Sequence, residues 1–226
     1  MCSRYSLTSP PEAVRAYFGH LNEMVYPPRY NIAPTQPVLI VRLDHARRRE
    51  ATLVRWGLMP SWSKDPTKIS TLINARAETA AEKPSFRGAM RHRRCLIPAD
   101  GFYEWTGRPG AKRPHLLRPV KGGPMAFAGL WEHWLGSDGS EIETMAILTV
   151  PANAVASKVH DRMPVILAPE NFEAWLDISS GRSNEAEQLL NPAPDDVLEI
   201  MEVSSKLNNS RNEGPEAQEI IGRMLL

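Results

Sequence analysis

Short apolar segments recur along the chain, and turn residues separate them. Aliphatic and aromatic side chains dominate stretches such as "VLIVRLD" and "ETMAILTV", whereas Gly, Pro, Asp and Ser cluster between such stretches. This pattern predicts β-strands. We expect them within residues 38–44, 50–60, 95–105, 115–120, 125–134, 143–150, 162–168 and 195–204. Asp100-Gly101 is a turn signal that divides residues 95–105 into two strands.

Helical spacing is confined to a few short segments. Residues 9–21 place apolar side chains three and four positions apart, with Ser9 as the expected N-cap and Glu12 completing a capping box. Residues 85–93, 151–160 and 169–177 are further predicted helices. Residues 26–37 and 56–83 lack a clear period and are predicted to be loops, the longer one functional.

The order of these elements predicts the fold class. Many short strands with a few interspersed helices favour an α+β protein. No repeat, low-complexity stretch or linker divides the chain. We therefore predict one domain over residues 1–226, with a curved, barrel-like, mostly antiparallel β core and peripheral helices.

Composition narrows the function classes. The 226 residues carry a formal net charge of +1, and no apolar run approaches the length of a membrane span. The start of the chain lacks the apolar stretch of a signal peptide, and two cysteines do not make a disulfide framework. We expect a cytoplasmic protein with reduced thiols and no membrane partner.

Charge is balanced overall but unevenly distributed. Basic residues predominate in residues 87–121, and acidic residues predominate in residues 170–202. Two interpretations remain open: a positive face that binds a polyanion, or a mixed surface exposed to solvent.

Common cofactor and metal motifs are missing from the sequence, so no cofactor and no metal are expected. Instead, single polar residues stand among apolar or aromatic neighbours, and each alone is explained by a loop contact, an ion pair or a helix cap. They are Asn74 and Arg76 in "LINAR", Glu104 in "DGFYEW" and His160 in "VHDRMP". Cys95 lies in an apolar strand and is interpreted as a core residue.

Cys2 follows the initiator methionine directly, where a structural thiol is poorly placed because termini fray. Removal of Met1 would expose its α-amine and thiol on adjacent carbons. The amine, with a pKa of about 8, is partly neutral at neutral pH. It can condense with an aldehyde to an imine, which the thiol closes to a thiazolidine. Either the position of Cys2 is accidental, or it is explained by an aldehyde as the target.

The sequence resembles the SRAP (SOS response-associated peptidase) family. The resemblance rests on motifs along most of the chain, with Ser3 where the family has Gly. The motifs are "MCSRY", "YNIAPTQ", "WGLMPSW", "INARAET", "RCLIPADGFYEW", "FAGLWE", "HDRMPVIL" and "NNSRNEGPE". It implies the SRAP fold and covalent capture of abasic sites in single-stranded DNA, which shields them from strand cleavage.

The resemblance also implies roles for the catalytic candidates. Cys2 would be the nucleophile, and Asn74 would orient the terminal amine or the sugar. Glu104 would be the general acid and base, and His160 would be the second proton-transfer group.

A second set of residues is implied to contact DNA. Arg4 and Arg76 would hold flanking phosphates, and Trp62 would stack or wedge against bases. Asn31 and Arg162 would also belong to the DNA-binding surface. The expected partner is single-stranded DNA with abasic sites, junctions of single- and double-stranded DNA included, bound by a monomer.

Two other functions remain open. Cys2 would serve equally as the terminal nucleophile of a cysteine peptidase whose substrate is Met1 itself, with His160 or Glu104 as base. The basic middle segment would also suit non-covalent binding of single-stranded DNA.

Overall fold

The described chain is built from two β-sheets that share one apolar core. The structure is a computed structural model that describes residues 2–64, 71–179 and 183–223. In chain order its strands and α-helices are β1 (Tyr5–Leu7), α1 (Pro11–Phe18), β2 (Arg29–Ile32), β3 (Pro37–Leu43), β4 (Arg49–Trp56), β5 (Asn74–Arg76), α2 (Ala77–Ala80), α3 (Arg87–His92), β6 (Arg94–Ala99), β7 (Gly101–Thr106), β8 (Arg113–Pro119), β9 (Met125–Leu135), β10 (Glu141–Pro151), β11 (Arg162–Pro164), β12 (Ile166–Leu167), α4 (Phe172–Leu176), α5 (Ser183–Gln188), β13 (Leu198–Val203) and β14 (Ile220–Arg223).

The first sheet closes into a five-stranded barrel. Its strands follow the order β10-β4-β3-β6-β9, and β9 pairs again with β10. Most pairs are antiparallel, but β4 and β5 run parallel to β10. Gly129 of β9 lies opposite Cys95, where a Cβ atom would come within 2.9 Å of the Cys95 Sγ atom. Closure therefore depends on a residue without a side chain at this point.

The second sheet curls against the barrel in the order β14-β13-β8-β7-β1-β2. Aromatic rings join the two sheets: Tyr5 packs edge-on against Trp56 at 5.2 Å and against Phe127 at 6.0 Å, and Phe102 also contacts Phe127. The predicted class, an α+β domain with a curved, barrel-like, mostly antiparallel β core, is confirmed.

The predicted turn at Asp100 is a corner between sheets and does not join paired strands. Strand β6 pairs with β3 and β9, whereas β7 pairs with β1 and β8. The Asp100 carboxylate accepts hydrogen bonds from the backbone N–H groups of Thr8 and Ser9. The predicted division into two strands at Asp100-Gly101 is confirmed, but the two strands belong to different sheets because their partners are distant in sequence.

The first helix is shorter than predicted and has no capping box. It spans Pro11–Phe18, and no side chain caps its first turn. The Ser9 hydroxyl donates to the Asp100 carboxylate instead, at 2.6 Å. Gly19, with φ of 67°, ends the helix in the left-handed conformation that glycine adopts readily.

Three other boundaries differ from the predictions. Residues 29–32 of a predicted loop form strand β2, and the predicted helix at 151–160 is a single 3-10 turn over Ala156–Lys158. The strand predicted at 162–168 is divided at Val165, whose backbone bonds strands on both sides. The long predicted loop contains β5 and α2, and its residues 65–70 lie outside the described residues.

A buried arginine ties two helices to the barrel. The Arg94 guanidinium donates to the carbonyl oxygens of Met90, Trp175 and Asp177, at or next to the ends of α3 and α4. Its guanidinium also lies 5.4 Å from the centre of the Trp175 ring. Three helix-end carbonyls are thereby satisfied by one cation.

We predict that Arg94→Met lowers the free energy of unfolding by about 3 kcal/mol or more, because three buried carbonyls lose charge-assisted hydrogen bonds. Arg91→Met, on the exposed side of the same helix, is the control and should change stability by less than about 0.5 kcal/mol. Urea denaturation measures both. Equal effects would mean that the buried hydrogen bonds contribute nothing specific.

Candidate active site

Cys2 is held inside the protein. It is fully buried and lies three residues before β1, the strand inserted between β2 and β7. The Asn74 side chain donates from Nδ2 to the Cys2 carbonyl oxygen at 2.7 Å, and the Cys2 Sγ atom lies 3.7 Å from the Arg4 carbonyl oxygen. The start of the chain is therefore anchored, whereas an ordinary terminus is mobile. Met1 lies outside the described residues.

Asn74 has one further hydrogen-bonding group directed into the protein. Strand β5 carries this residue and runs parallel to β10, opposite Ile147. Its Oδ1 atom is buried and has no hydrogen-bond partner within the described part of the chain. A buried acceptor of this kind is normally satisfied. The position is suited to a donor that arrives with a substrate or a processed terminus.

Glu104 lies on β7 next to the start of β1. The backbone N–H of Tyr103 donates to the Arg4 carbonyl, which brings this part of β7 alongside Cys2. Tyr103 and Trp105 pack in a separate cluster with Leu116 and Val203. Successive side chains on a strand face opposite sides, so both aromatic neighbours lie on the face away from Glu104.

Burial raises the pKa of Glu104 to about 7. The positive α-amino group at the start of the chain lowers this pKa, and the charge of Asp161 raises it. A carboxyl group with a pKa near neutrality can both take up and release a proton at physiological pH. Glu104 is therefore electrostatically prepared for proton transfer.

The Cys2 thiol, by contrast, has a pKa that is unfavourable for reaction at neutral pH. Burial raises its pKa, and the nearby charge of Glu104 raises it further. A thiol in such surroundings stays protonated at neutral pH and is a weak nucleophile by itself. Chemistry at Cys2 requires another group to react first or to take its proton.

His160 is neutral in this site. Burial lowers its pKa, and the positive charge at the start of the chain lowers it further. Its Nδ1 atom accepts a hydrogen bond from the Arg162 backbone N–H at 3.0 Å. The Asp161 carboxylate lies 2.9 Å from the same nitrogen, but Asp161 is 88 % exposed. A nitrogen that accepts the amide proton has none to donate, so the neutral ring carries its proton on Nε2.

The catalytic candidates thus come together from distant parts of the chain. Electrostatic effects link Cys2 to Glu104, Glu104 to Asp161, and both Glu104 and His160 to the amino terminus. Asn74 completes the group through the Cys2 carbonyl. The described residues contain no cluster of three or more His, Cys, Asp or Glu side chains arranged to hold a metal ion.

The residues assigned to DNA binding occupy different environments. Trp62 is 60 % exposed and donates its indole N–H to the Pro84 carbonyl, and Arg76 is exposed at the end of β5. Asn31 is fully buried, and its amide donates to the carbonyls of Leu207, Asn209 and Asn212.

Arg4 and Arg162 are largely engaged by the protein itself. Arg4 donates to the Asn31 Oδ1 atom at 2.7 Å, and its guanidinium lies 5.7 Å from the centre of the Trp105 ring. Arg162 is only 12 % exposed, with its guanidinium on Glu78 and Thr149. Neither presents a fully free cation to solvent.

A groove beside Cys2 contains residues that sequence reasoning missed. Its volume is about 780 Å³. Trp105 had no role in the sequence predictions, yet it lines this groove and donates its indole N–H to Asn208 Oδ1. The lining residues are Ser3, Arg4, Trp105, Gly110, Ala111, Lys112, Arg113, Ser205 and Asn208. An aromatic residue next to a cluster of basic residues was the available signal.

No helix in the described ranges combines the length and the apolar character needed to span a bilayer.

The chain is similar to several known proteins. The family model described as "SOS response associated peptidase (SRAP)" matches residues 1–210. The abasic site processing protein YoqW of Bacillus subtilis is 40 % identical over 220 residues, which cover 96 % of this chain and 98 % of that protein. The abasic site processing protein HMCES of Gallus gallus is 35 % identical, over 87 % of this chain and 67 % of that protein.

A solved structure has the same architecture. The crystal structure of a protein from Bacteroides thetaiotaomicron superposes with a TM-score of 0.86 at 26 % identity. The match covers 97 % of this chain and 100 % of the other.

The raised pKa of Glu104 predicts a specific dependence of stability on pH. Between its ordinary value of 4.5 and about 7, the folded protein keeps a proton that the unfolded chain has released. Wild-type stability should therefore fall across this window relative to Glu104→Gln, by on the order of 3 kcal/mol, and the difference should stay constant above it. Urea denaturation at a series of pH values measures this, with exposed Glu82→Gln as the control. A constant difference between wild type and Glu104→Gln across the window would contradict the raised pKa.

Proposed function

Because this chain belongs to the SOS response associated peptidase (SRAP) family, we propose that it captures abasic sites in single-stranded DNA covalently. The abasic sugar in its open form is an aldehyde at C1′, and Cys2 supplies the amine and the thiol that react with it once Met1 is removed. The product is a thiazolidine crosslink. Two relatives bear the name abasic site processing protein, which supports DNA with abasic sites as the partner.

The observation that carries this proposal is the anchoring of Cys2. Cys2 is fully buried, its carbonyl accepts a hydrogen bond from Asn74, and its thiol interacts electrostatically with Glu104. A frayed terminus would make none of these contacts, so the arrangement supports a functional role for Cys2. Removal of Met1 would place the new α-amine in this pocket. The Oδ1 atom of Asn74 has no hydrogen-bond partner among the described residues, and it is suited to accept a hydrogen bond from that amine and to orient the amine lone pair.

The raised pKa of the thiol favours an order of events in which the amine reacts first. The amine nitrogen adds to the aldehyde carbon and forms a carbinolamine. Loss of its hydroxyl group as water leaves a C=N bond. The sulfur then adds to this carbon, the π electrons return to nitrogen, and the thiol proton passes to a base. The net change is the release of one water, with no oxidation or reduction.

Glu104 and His160 divide the proton transfers in this proposal. Glu104, with its pKa near 7, protonates the departing hydroxyl group and later accepts the thiol proton. Neutral His160, with its proton on Nε2, donates a hydrogen bond from that nitrogen to the ring oxygen of the sugar and stabilises this oxygen as the ring opens. Closure of the thiazolidine removes the imine, which is the electron sink for strand cleavage, so capture protects the strand.

The DNA path in this proposal uses the exposed residues near the site. Trp62 stacks on a base and Arg76 contacts a phosphate. Trp105 and Arg4 form the side of the groove next to Cys2. Buried Asn31 accepts a hydrogen bond from Arg4 and holds that side chain in place, without itself contacting DNA.

A denaturing gel with an abasic oligonucleotide tests the covalent step. Wild type should give a boil-stable, shifted band, and Cys2→Ser should give a band only when borohydride reduces its imine. Cys95→Ala, which alters the buried thiol of β6, should crosslink like wild type. Intact mass establishes the loss of Met1 in each protein.

Two results on this gel would contradict the proposal. A boil-stable band from Cys2→Ser without reductant would exclude the thiazolidine. The absence of a covalent band, from wild type that has lost Met1, would favour a non-covalent DNA-binding protein or a cysteine peptidase that acts only on its own Met1.

Arg76→Ala should weaken binding to intact single-stranded DNA of any sequence. It should also reduce the slope of log K against log salt concentration by about 0.7, because one phosphate contact is lost. Fluorescence anisotropy across a salt series measures the slope. Arg48→Ala, an exposed arginine paired with Asp44 between β3 and β4, is the control. An unchanged slope in Arg76→Ala would assign that residue a structural role only.

A further inference from the structure

The turn that carries Trp62 is bound to the barrel where the chain enters it. Directly after β4, the Gly57 backbone N–H donates to the Met145 carbonyl oxygen of β10. The Met59 backbone N–H then donates to the hydroxyl of Thr144, the neighbouring residue of β10, at 2.9 Å. Thr144 is fully buried, so this hydroxyl is a fixed acceptor inside the protein.

The end of the turn is held by a second tryptophan. The Ser63 backbone N–H donates to the Pro60 carbonyl oxygen at 2.9 Å and closes the turn. The Ser63 carbonyl oxygen in turn accepts a hydrogen bond from the indole N–H of Trp134, at 2.7 Å. Trp134 is buried near the end of β9. The residue that follows Trp62 is therefore bonded to the barrel through its backbone.

The ring of Trp62 is held from another direction. Its indole N–H donates to the Pro84 carbonyl oxygen at 3.2 Å, although the side chain is 60 % exposed. Pro84 lies between α2 and α3, and α2 directly follows β5, the strand that carries Asn74 and Arg76. The protein thus presents an uncovered aromatic surface in a defined direction. A rigid aromatic ring loses little conformational entropy when a partner packs against it.

We propose that Trp134 and Thr144 are positioning residues for Trp62, and that they hold its turn where a base of single-stranded DNA stacks on the exposed indole. This inference rests on the contact between Trp62 and a base in the proposed function. Both positioning residues act through the backbone of the turn, because both are buried and bond to its main-chain groups.

The alternative is that Trp134 only fills space in the protein core. A Cβ atom at Gly136 would come within 2.8 Å of the Trp134 ring, so the ring is closely packed. In that case the apolar ring would matter and its N–H group would not. Trp134→Phe keeps an aromatic ring and removes the N–H group, and it therefore separates the two interpretations.

Two further variants complete the comparison. Thr144→Val removes the hydroxyl that accepts the Met59 N–H and keeps the shape of the side chain. Trp131→Phe is the matched control, because it removes an indole N–H from the same strand, β9. Three residues separate Trp131 from Trp134, so the two side chains lie on opposite faces of the strand. The Trp131 ring packs against the Arg42 guanidinium at 4.1 Å.

The first measurement uses the protein without DNA. The ¹H–¹⁵N spectrum of tryptophan-labelled protein reports how fast the indole proton of Trp62 exchanges with water, and Trp62→Phe assigns its signal. Exchange should be about threefold or more faster in Trp134→Phe and in Thr144→Val, because the hydrogen bond to Pro84 opens more often when the turn is released. Trp131→Phe should match wild type. An unchanged rate in both turn variants would overturn the proposal.

The second measurement is the affinity for intact single-stranded DNA, by fluorescence anisotropy across a salt series. Trp62→Ala should weaken binding by about tenfold or more, because one base loses its stacking partner. Trp134→Phe and Thr144→Val should each weaken it by about threefold to tenfold with an unchanged salt slope, since no phosphate contact is lost. In the Trp62→Ala background, neither substitution should have a further effect.

Two results on DNA would overturn the proposal. A full additional loss in the Trp62→Ala background would show that Trp134 and Thr144 act elsewhere than on Trp62. Wild-type affinity in Trp62→Ala would remove the base contact itself. Should Trp134→Phe fail to fold, Thr144→Val tests the same turn from its other end. Intact DNA carries no aldehyde, so failure of wild type to crosslink an abasic oligonucleotide would contradict covalent capture, and these affinities would still decide the role of Trp134.

Discussion

Anchoring of the amino terminus is the constraint on which the candidate site depends. Strand β1 has only three residues, yet it lies between β2 and β7, so the residues before it enter the protein. The hydrogen bond from Asn74 to the Cys2 carbonyl fixes the last free part of this segment. Ordering the end of a chain costs conformational entropy, and several contacts together offset this cost. Tyr5, packed between Trp56 and Phe127, supplies the apolar part of this anchor.

Burial of the site gives its acidic and basic groups their properties. The same desolvation raises the pKa of Glu104 and of the Cys2 thiol, and it lowers the pKa of His160. All three groups are thus shifted towards their neutral forms. A site of neutral donors and acceptors suits condensation chemistry, in which protons move between neighbours and a water molecule is lost.

Polar contacts between residues that are distant in sequence hold the segments around the site in place. The Asn31 amide donates hydrogen bonds to three backbone carbonyls of the segment that follows β13. Arg4 donates to a carbonyl of the same segment and to the Asn31 side chain. Glu78 and Thr149 hold Arg162 on the other side. These contacts fix the segments around Cys2 by hydrogen bonds to the backbone, and such buried networks specify geometry more strictly than apolar packing does.

The sequence by itself determined the strand content, the fold class and the chemistry available at Cys2. Apolar periodicity and the order of residues in a motif are local properties, and the position of Cys2 alone determines that removal of Met1 would leave an amine and a thiol on adjacent carbons. The tertiary structure decided which polar side chains are free to act. Asn31 and Arg162 resemble surface residues in sequence, but their partners lie 176 and 84 residues away, and burial follows from such contacts. Asp100 likewise turns the chain between sheets because Thr8 and Ser9 are brought to it by the fold.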